Sequence, residues 1–425
     1  MNILIIDRAV PQTIHSGKSL RLANLFKRLR TAHRLHYLAI SPVGDQSQAP
    51  EWLRQLVHSC RVWTASGREF WLGRYANWAA GQPWFAAAWR YPEDFRRFSS
   101  SVRQLVQEEA IDVIHCFDDE AAQFIPDRLP CPWIADPADA MSLHAKRRAE
   151  HAPRLSERLR WTSISMRLSR YERQLLGRAS ATVYVSDVDA RHHAPRGGRA
   201  TVHVIPNGVD TAYFAPEAAF SPLPDSPRPR IILTGHMSFA PNHHAALRLL
   251  DRILPKVREA IPSVACDLVG ADPSSELQAR HDGDSVTVTG WVEDIRPWIA
   301  RASVYACPMS LGAGIKNKLL ESMAMAKAIV TTSRGCDGIA VRDGEQLLIA
   351  DDESAFASKV IELLKNPARR RMLGASAQAL AIERYSWDAT TRAYDALYQR
   401  VVQEHRLHRN GHVHELARDK QGASP

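Results

Sequence analysis

SVYACPMSLGAGIKNKLLESMAMAKAIVTT, residues 303–332, is the stretch on which the fold turns. VYAC is a short apolar run of strand character, and it leads into a small-residue loop at Gly312-Ala313-Gly314. The spacing that follows predicts a helix beginning near Lys316, and AIVTT then predicts a second buried strand. Strand, glycine loop and helix N-terminus together form an anion site, because free backbone N–H groups and the positive end of the helix dipole face the loop. Lys316 and Lys318 lie in the first helical turn, where positive charge opposes the dipole at a cost of a few tenths of a kcal/mol each. A local rule broken twice suggests an anion among them. The alternative is two solvated lysines.

Glu321 follows among Leu319, Leu320, Met323, Ala324 and Met325. A carboxylate in so apolar a run needs a partner. Two partners are open: the diol of a ribose, or Lys318 in an i,i+3 pair.

The same alternation runs outward in both directions. Strand candidates in the first half are NILII (2–6), LHYLAI (35–40), DVIHC (112–116), WIA (133–135), TVYVS (182–186) and VHVI (202–205). In the second half they are RIILTG, CDLVG, VTVTG, SVYACP, AIVTT and LLIA. Amphipathic stretches such as SLRLANLFKRLRTAH and HHAALRLLDRILPKVREA separate them. Apolar strands alternating with helices predict parallel sheets covered on both faces, here as two Rossmann-like α/β domains. At 425 residues the chain has room for two such cores. The expected divisions are an N-terminal domain over 1–213, a proline-rich linker over 214–230, and a C-terminal domain over 231–385. A terminal helix over 386–406 and a polar, frayed tail over 407–425 complete the chain.

Six scattered cysteines without a CxxC pair point to a reducing compartment. MNILIIDRAVP reads as a first strand and not as a signal peptide. No apolar run approaches the roughly 20 residues that a membrane span needs. The expectation is a cytoplasmic protein, with peripheral attachment to the inner face of the membrane as an option. Of the +9 formal charge, residues 1–215 carry +8, from 29 Lys+Arg against 21 Asp+Glu. That excess suits an anionic membrane or a phosphorylated acceptor. It lacks the modules of a nucleic-acid binder. Six of the eleven tryptophans fall within residues 52–89. Helical core packing is the plain explanation, and an acceptor groove or membrane-interface patch is the other.

ILTGHMSFAPNHHAALRLL, CDLVGADP, VTVTGWVEDIRPWIARASVYACP and GAGIKNKLLESMAMAKAIVTT together resemble the donor domain of family 4 (group 1) glycosyltransferases of the GT-B fold. The G-x-G-x-K-x-K-x-x-E pattern is similar to the branch associated with exopolysaccharide sugar transferases. The first half matches more loosely, through NILIID, HSGKSLRLANLFKRL, YERQLLGRASATVYVSDVDA and VIPNGVD. The resemblance implies two Rossmann-like domains facing each other across a cleft, with the C-terminal helix crossing back to the first. It implies a retaining, metal-independent hexosyl transfer from a nucleoside-diphosphate sugar to a glycan or lipid-linked acceptor, with no further cofactor. Lys316 and Lys318 would hold the donor diphosphate and Glu321 the ribose. Val292, in the GWVEDI stretch, would pass beside the base. Gly235, Gly314 and, from the first domain, Gly17 would let backbone approach the phosphates. Lys18-Ser19 after Gly17 suggest a P-loop, but its earlier glycine position holds Gln12, so that reading fails.

Two departures from the family pattern stand out. The family's second glutamate, eight residues before Glu321, is Ala313 here. The histidine often found after the fourth strand is absent, and Asp136, Asp139 and His115 are the catalytic candidates in its place, near strand carboxyl ends. A structural Asp–Pro turn is the competing role for Asp136. No DxD suited to donor Mg²⁺ and no His/Cys ligand set is expected. The vacant glutamate leaves room for a catalytically silent nucleotide-sugar-binding partner protein; a GT-B epimerase of UDP-sugars is a further alternative.

Overall fold

The structure is a computed structural model, and it describes residues 1–12, 17–41, 48–150, 152–193, 201–224, 226–312 and 314–421. It divides into two compact units, one of Met1–Ile205 with Thr391–Pro425 and the other of Pro206–Thr390.

The first unit carries strands β1 (Asn2–Asp7), β2 (Arg34–Ser41), β3 (Ser59–Thr64), β4 (Val113–Cys116), β5 (Trp133–Ala138), β6 (Ala181–Tyr184) and β7 (Thr201–Val204). They form a sheet in the order β3-β2-β1-β4-β5-β6-β7, and the pairings are parallel. The strands expected from the sequence are all present. β3, SCRVWT, was not expected. It lies at the sheet edge with half-buried and exposed residues only, so it lacks the apolar run that marks the central strands. Helices cover both faces. One face packs Leu22, Leu25 and Phe26 of helix Gly17–Leu29 with Tyr394, Leu397, Tyr398 and Val401 of the C-terminal helix. The other packs Phe98, Val102 and Leu105 against Tyr171 and Leu175.

The second unit carries β8 (Arg230–Thr234), β9 (Ala265–Val269), β10 (Val286–Val288), β11 (Val304–Cys307), β12 (Ile329–Thr331) and β13 (Leu348–Ile349). Their order is β10-β9-β8-β11-β12-β13, again parallel. Both sheets therefore reverse direction beside their first strand, at β1/β4 and at β8/β11. In open α/β sheets that switch point, at the carboxyl ends, is where ligands bind.

The helical stretch after β8 contains Pro255 and is built from helix Ala240–Arg248, a π-turn at Leu249–Ile253 and helix Leu254–Ala260. The wider turn accommodates the missing N–H of the proline. Of the stretch 214–230, expected as a linker, the described residues before Arg230 form no helix or strand, Arg230 opens β8, and the stretch belongs to the second unit. Phe214 and Phe220 pack on its core. The C-terminal helix runs Trp387–Gln421, well past the expected end at 406, and from Thr391 onward it is counted with the first unit.

Candidate functional site

At the second switch point, β8 ends at Thr234 and turns through Gly235, and β11 ends at Cys307 and leads to the glycine loop. The loop turns at Gly312 (φ 97°) and Gly314 (φ 72°), and helix Asn317–Ala324 begins immediately after Lys316. Lys316 occupies the N-cap position and makes no side-chain cap bond, and the first turn holds no acid. The Leu319 amide donates to the Lys316 carbonyl at 2.8 Å, and among the described residues the Asn317 and Lys318 amides have no acceptor.

Lys318 Nζ donates to Asn242 Oδ1, while Asn242 Nδ2 donates to the His236 carbonyl at 2.9 Å. Gly235 lies directly beneath this pair. A Cβ on Gly235 would sit 2.7 Å from Lys318 Nζ and 2.8 Å from Asn242 Nδ2, at a φ of 147° that side chains rarely adopt. Gly270, after β9, is tighter still, because its Cβ would fall 1.9 Å from the Gly235 carbonyl oxygen. Two glycines thus let two strand ends crowd together around one lysine.

Lys316 is buried, and its Nζ donates to the Gly314 carbonyl at 2.5 Å. Burial lowers its pKa against the attraction of Asp337, and Arg334 adds to the lowering. Lys318 is also lowered by burial, with Cys307 and Glu321 opposing. Glu321 is half-buried on the same helix, and burial lifts its carboxyl to about 7 in spite of Lys318. No ion pair joins Glu321 to Lys318 among the described residues, so the i,i+3 alternative does not satisfy this carboxyl. Desolvated ammonium groups thus lie near a helix N-terminus, and Glu321 makes no side-chain hydrogen bond among the described residues; positive charge and helix amides of this kind suit an anion.

Val292 is half-buried in the loop after β10 and packs on the core. Arg296, the first residue of the following helix Arg296–Arg301, grips Asp294 of that loop through Nε and Nη2 and lies 3.7 Å over the Tyr213 ring. Gly17 is the first residue of helix Gly17–Leu29. Ala313 lies outside the described residues, as do His15 and Ser16 of the first loop.

Two of the three catalytic candidates face inward. Asp136 is 1% exposed. It accepts hydrogen bonds from Arg21 Nη2 at 3.1 Å, His115 Nε2 at 3.1 Å and the Tyr394 hydroxyl at 2.5 Å. His115 Nδ1 meets the Tyr398 hydroxyl at 2.6 Å. Burial pushes the Asp136 carboxyl up, but Arg21 and His115 outweigh it and hold it below the usual range. Burial lowers the His115 pKa. This closed network anchors the terminal helix. The sequence suggests a substrate-facing role for these two groups, and in the structure their polar atoms serve internal partners. The Asp–Pro turn does not explain the burial either.

Asp139 is half-buried. With His144 and Asp189 it offers ligand atoms within 4.8 Å of one another, a grouping the sequence reading did not foresee. Asp189 already accepts from Ala140 N at 3.0 Å and from the Ser186 hydroxyl.

The first switch point holds groups that sequence reasoning missed. Lys18 Nζ bridges Asp7 Oδ1 at 2.5 Å and Asp118 Oδ2 at 3.1 Å. Beside them the Asp119 carboxyl is raised to about 8 by burial and by Asp118 and Glu172. The signal was three consecutive acids, Asp118-Asp119-Glu120, directly after β4.

Two parallel-sheet Rossmann-like domains are the architecture of the GT-B class. Residues 228–366 match the family described as "Glycosyl transferases group 1", and residues 23–213 match "Glycosyltransferase Family 4". The chain belongs to the family 4, group 1 glycosyltransferases. It is 30% identical over 230 residues to phosphatidyl-myo-inositol mannosyltransferase of Mycobacterium tuberculosis, covering 52% of this chain and 59% of that one. It is 26% identical over 163 residues to an uncharacterized 44.6 kDa protein in the cps region of Klebsiella pneumoniae, covering 36% and 42%. The matches thus span less than two thirds of these relatives' lengths. Among solved structures, Anabaena HepE in complex with UDP and glucose superposes with a TM-score of 0.58 at 15% identity, covering 93% of this chain and 99% of that one.

Proposed function

We propose that this protein is a retaining, metal-independent hexosyltransferase that moves a sugar from a nucleoside-diphosphate sugar to a glycan or lipid-linked acceptor, with no further cofactor. The observation that carries the reading is the cluster of Gly235, Asn242, Lys316, Lys318 and Glu321 at the β8/β11 switch point. The lysines and the helix N-terminus meet the diphosphate, and Glu321 accepts from the ribose hydroxyls. In the transfer, the bond between the sugar C1 and the donor phosphate oxygen breaks as the acceptor oxygen bonds to C1 from the same face. The departing phosphate oxygen takes the acceptor proton. Negative charge on that phosphate is largest in the transition state, which is where the two ammonium groups act most strongly. The mannosyltransferase relative, and the UDP and glucose bound by HepE, support a nucleotide-sugar donor. The cps-region relative supports a role in exopolysaccharide synthesis. The basic excess of residues 1–215 supports peripheral contact with an anionic membrane.

Calorimetric titration of a nucleoside diphosphate into the wild type and into Lys316→Ala and Lys318→Ala, combined with turnover of labelled donor, tests the clamp. Each change should cost roughly 10- to 150-fold in transition-state stabilisation, equivalent to about 1.5–3 kcal/mol for a charge-assisted hydrogen bond. Wild-type affinity and turnover in both folded variants would remove the assignment. Activity should also survive EDTA. Loss on chelation with recovery on Mg²⁺ or Mn²⁺ would shift attention to Asp139, His144 and Asp189.

A second reading, a nucleotide-sugar-binding protein without turnover, is favoured by one observation: Asp136 and His115 are occupied internally. Nucleotide binding without transfer or hydrolysis of any labelled donor would establish it.

A further inference from the structure

After β3, residues 65–91 turn through helices Gly73–Ala79 and Ala87–Arg90 and, with helix Leu155–Leu176, enclose a cavity of about 730 Å³. Asn77, Trp78, Trp84, Arg74, Arg160 and Arg167 are among its lining residues.

The charges in this cavity divide into two sets. Glu69 holds Arg74 through two bonds of 2.8 and 3.0 Å and also takes Arg90 Nε at 2.8 Å. Arg160 and Arg167 have no carboxylate partner among the described residues, and Arg167 lies 5.7 Å from the Trp78 ring centre. Asn77 is 3% exposed. Its Nδ2 donates to the Ala86 carbonyl at 2.7 Å, while its Oδ1 is buried without a hydrogen-bond partner. A buried acceptor left unmatched carries a desolvation penalty until a donor arrives.

A second cavity of about 280 Å³ shares Trp84 and Arg90 and reaches Arg8, Ile40, Ala65 and Glu120. These residues stand at the carboxyl ends of β1, β2, β3 and β4, where open α/β sheets bind ligands. Outside, Phe70, Trp71, Leu72 and Tyr75 are exposed, and so are Leu159 and Met166, one turn to either side of cavity-lining Ser163.

We infer that these cavities bind the acceptor, and that it is a phosphorylated amphiphile bearing hydroxyl groups. Its phosphate meets Arg160 and Arg167, a hydroxyl donates to Asn77 Oδ1, and its polar body lies against Trp78 and Trp84. Its hydrocarbon runs along Phe70, Trp71 and Met166. This deepens the transferase reading and rests on it for the word acceptor. Guanidinium forks match phosphate oxygens, and tryptophan serves surfaces that are apolar at one side and wet at the other.

The test titrates the full chain with dihexanoylphosphatidylglycerol below its micelle concentration, with glycerol 1-phosphate and with inorganic phosphate. The lipid should bind at least about tenfold more tightly than glycerol 1-phosphate, and inorganic phosphate more weakly still. In the double variant Arg160→Gln/Arg167→Gln, lipid affinity should fall roughly tenfold or more, with melting temperature and nucleoside-diphosphate affinity unchanged. Trp78→Phe should retain lipid binding and Trp78→Ala should weaken it. Equal affinity for lipid and glycerol 1-phosphate would make this a site for free phosphate esters and overturn the inference. So would lipid binding that the double variant leaves intact. Failure of the wild type to bind nucleoside diphosphate, with lipid binding preserved, would sink the transferase reading and leave the cavity standing. The converse result would sink only the cavity.

Discussion

Glu321 joins stability to binding through a single proton. Its ordinary pKa of 4.5 is lifted by burial to about 7 in the folded chain. Between those values the folded protein holds a proton that the unfolded chain has released. This contribution to stability is present below 4.5, is lost as pH rises through the interval, and is constant above about 7. A ribose diol donates two hydrogen bonds, so it prefers the ionised carboxylate. Affinity for a nucleoside without phosphate should therefore rise by roughly tenfold from pH 6 to pH 8 in the wild type. Glu321→Gln should show a flat profile by calorimetry, and a parallel rise in both proteins would refute the role. Lys316, Lys318 and Glu321 stood out in the sequence because a strand, a glycine loop and a misplaced pair of charges stand close together in it, whereas Gly235 was singled out only through the resemblance of its TGHM turn to the family. Asn242 was not. A polar residue in the first turn of a helix reads as part of a cap, and only the fold brings it to Lys318 across 76 positions.

Among the elements, the terminal helix carries more than its sequence suggests. Its amphipathic pattern announced a helix, but not that Tyr394 and Tyr398 would reach Asp136 and His115 in the core of the first unit. Strand-end acids usually suggest chemistry, so Asp136 read as catalytic. Burial and partners 21, 115 and 258 positions away, invisible to any local pattern, give it a structural network. β3 escaped for the opposite reason: an edge strand need not be apolar. The network has a measurable consequence. Asp136→Asn removes the buried negative charge that Arg21, His115 and Tyr394 all bond, which should cost about 3–5 kcal/mol of stability. Tyr394→Phe removes the hydroxyl that donates to Asp136 and accepts from Arg21, and should cost about 1.5–3 kcal/mol. Urea unfolding of both variants checks the order. An unchanged midpoint for Asp136→Asn, combined with a large loss in kcat, would restore its catalytic assignment.

For the molecule as a whole, the proposed peripheral membrane contact rests on basic charge, which favours an anionic bilayer, and on exposed aromatic surface, which does not discriminate by lipid charge. Residues 1–215 carry 29 Lys+Arg against 21 Asp+Glu. Tryptophans that helical core packing would have hidden are open instead: Trp71 is 77% exposed, Trp78 67% and Trp84 55%. No helix among the described residues is long and apolar enough to cross a membrane, so contact would be made at the surface. The two contributions respond differently to salt. Basic side chains near an anionic surface contribute about 1 kcal/mol each, and this attraction is screened as ionic strength rises. Aromatic side chains at the interface contribute through apolar area, which salt does not screen. Co-sedimentation with phosphatidylglycerol vesicles should therefore be strong at low salt and fall steeply toward a plateau above zero. Phosphatidylcholine vesicles should retain only that plateau. In Trp71→Ala/Tyr75→Ala the plateau should vanish while the salt-sensitive part remains. Binding to neither vesicle at low salt would end the membrane proposal. Binding abolished completely by salt in the wild type would leave the basic surface as its sole basis.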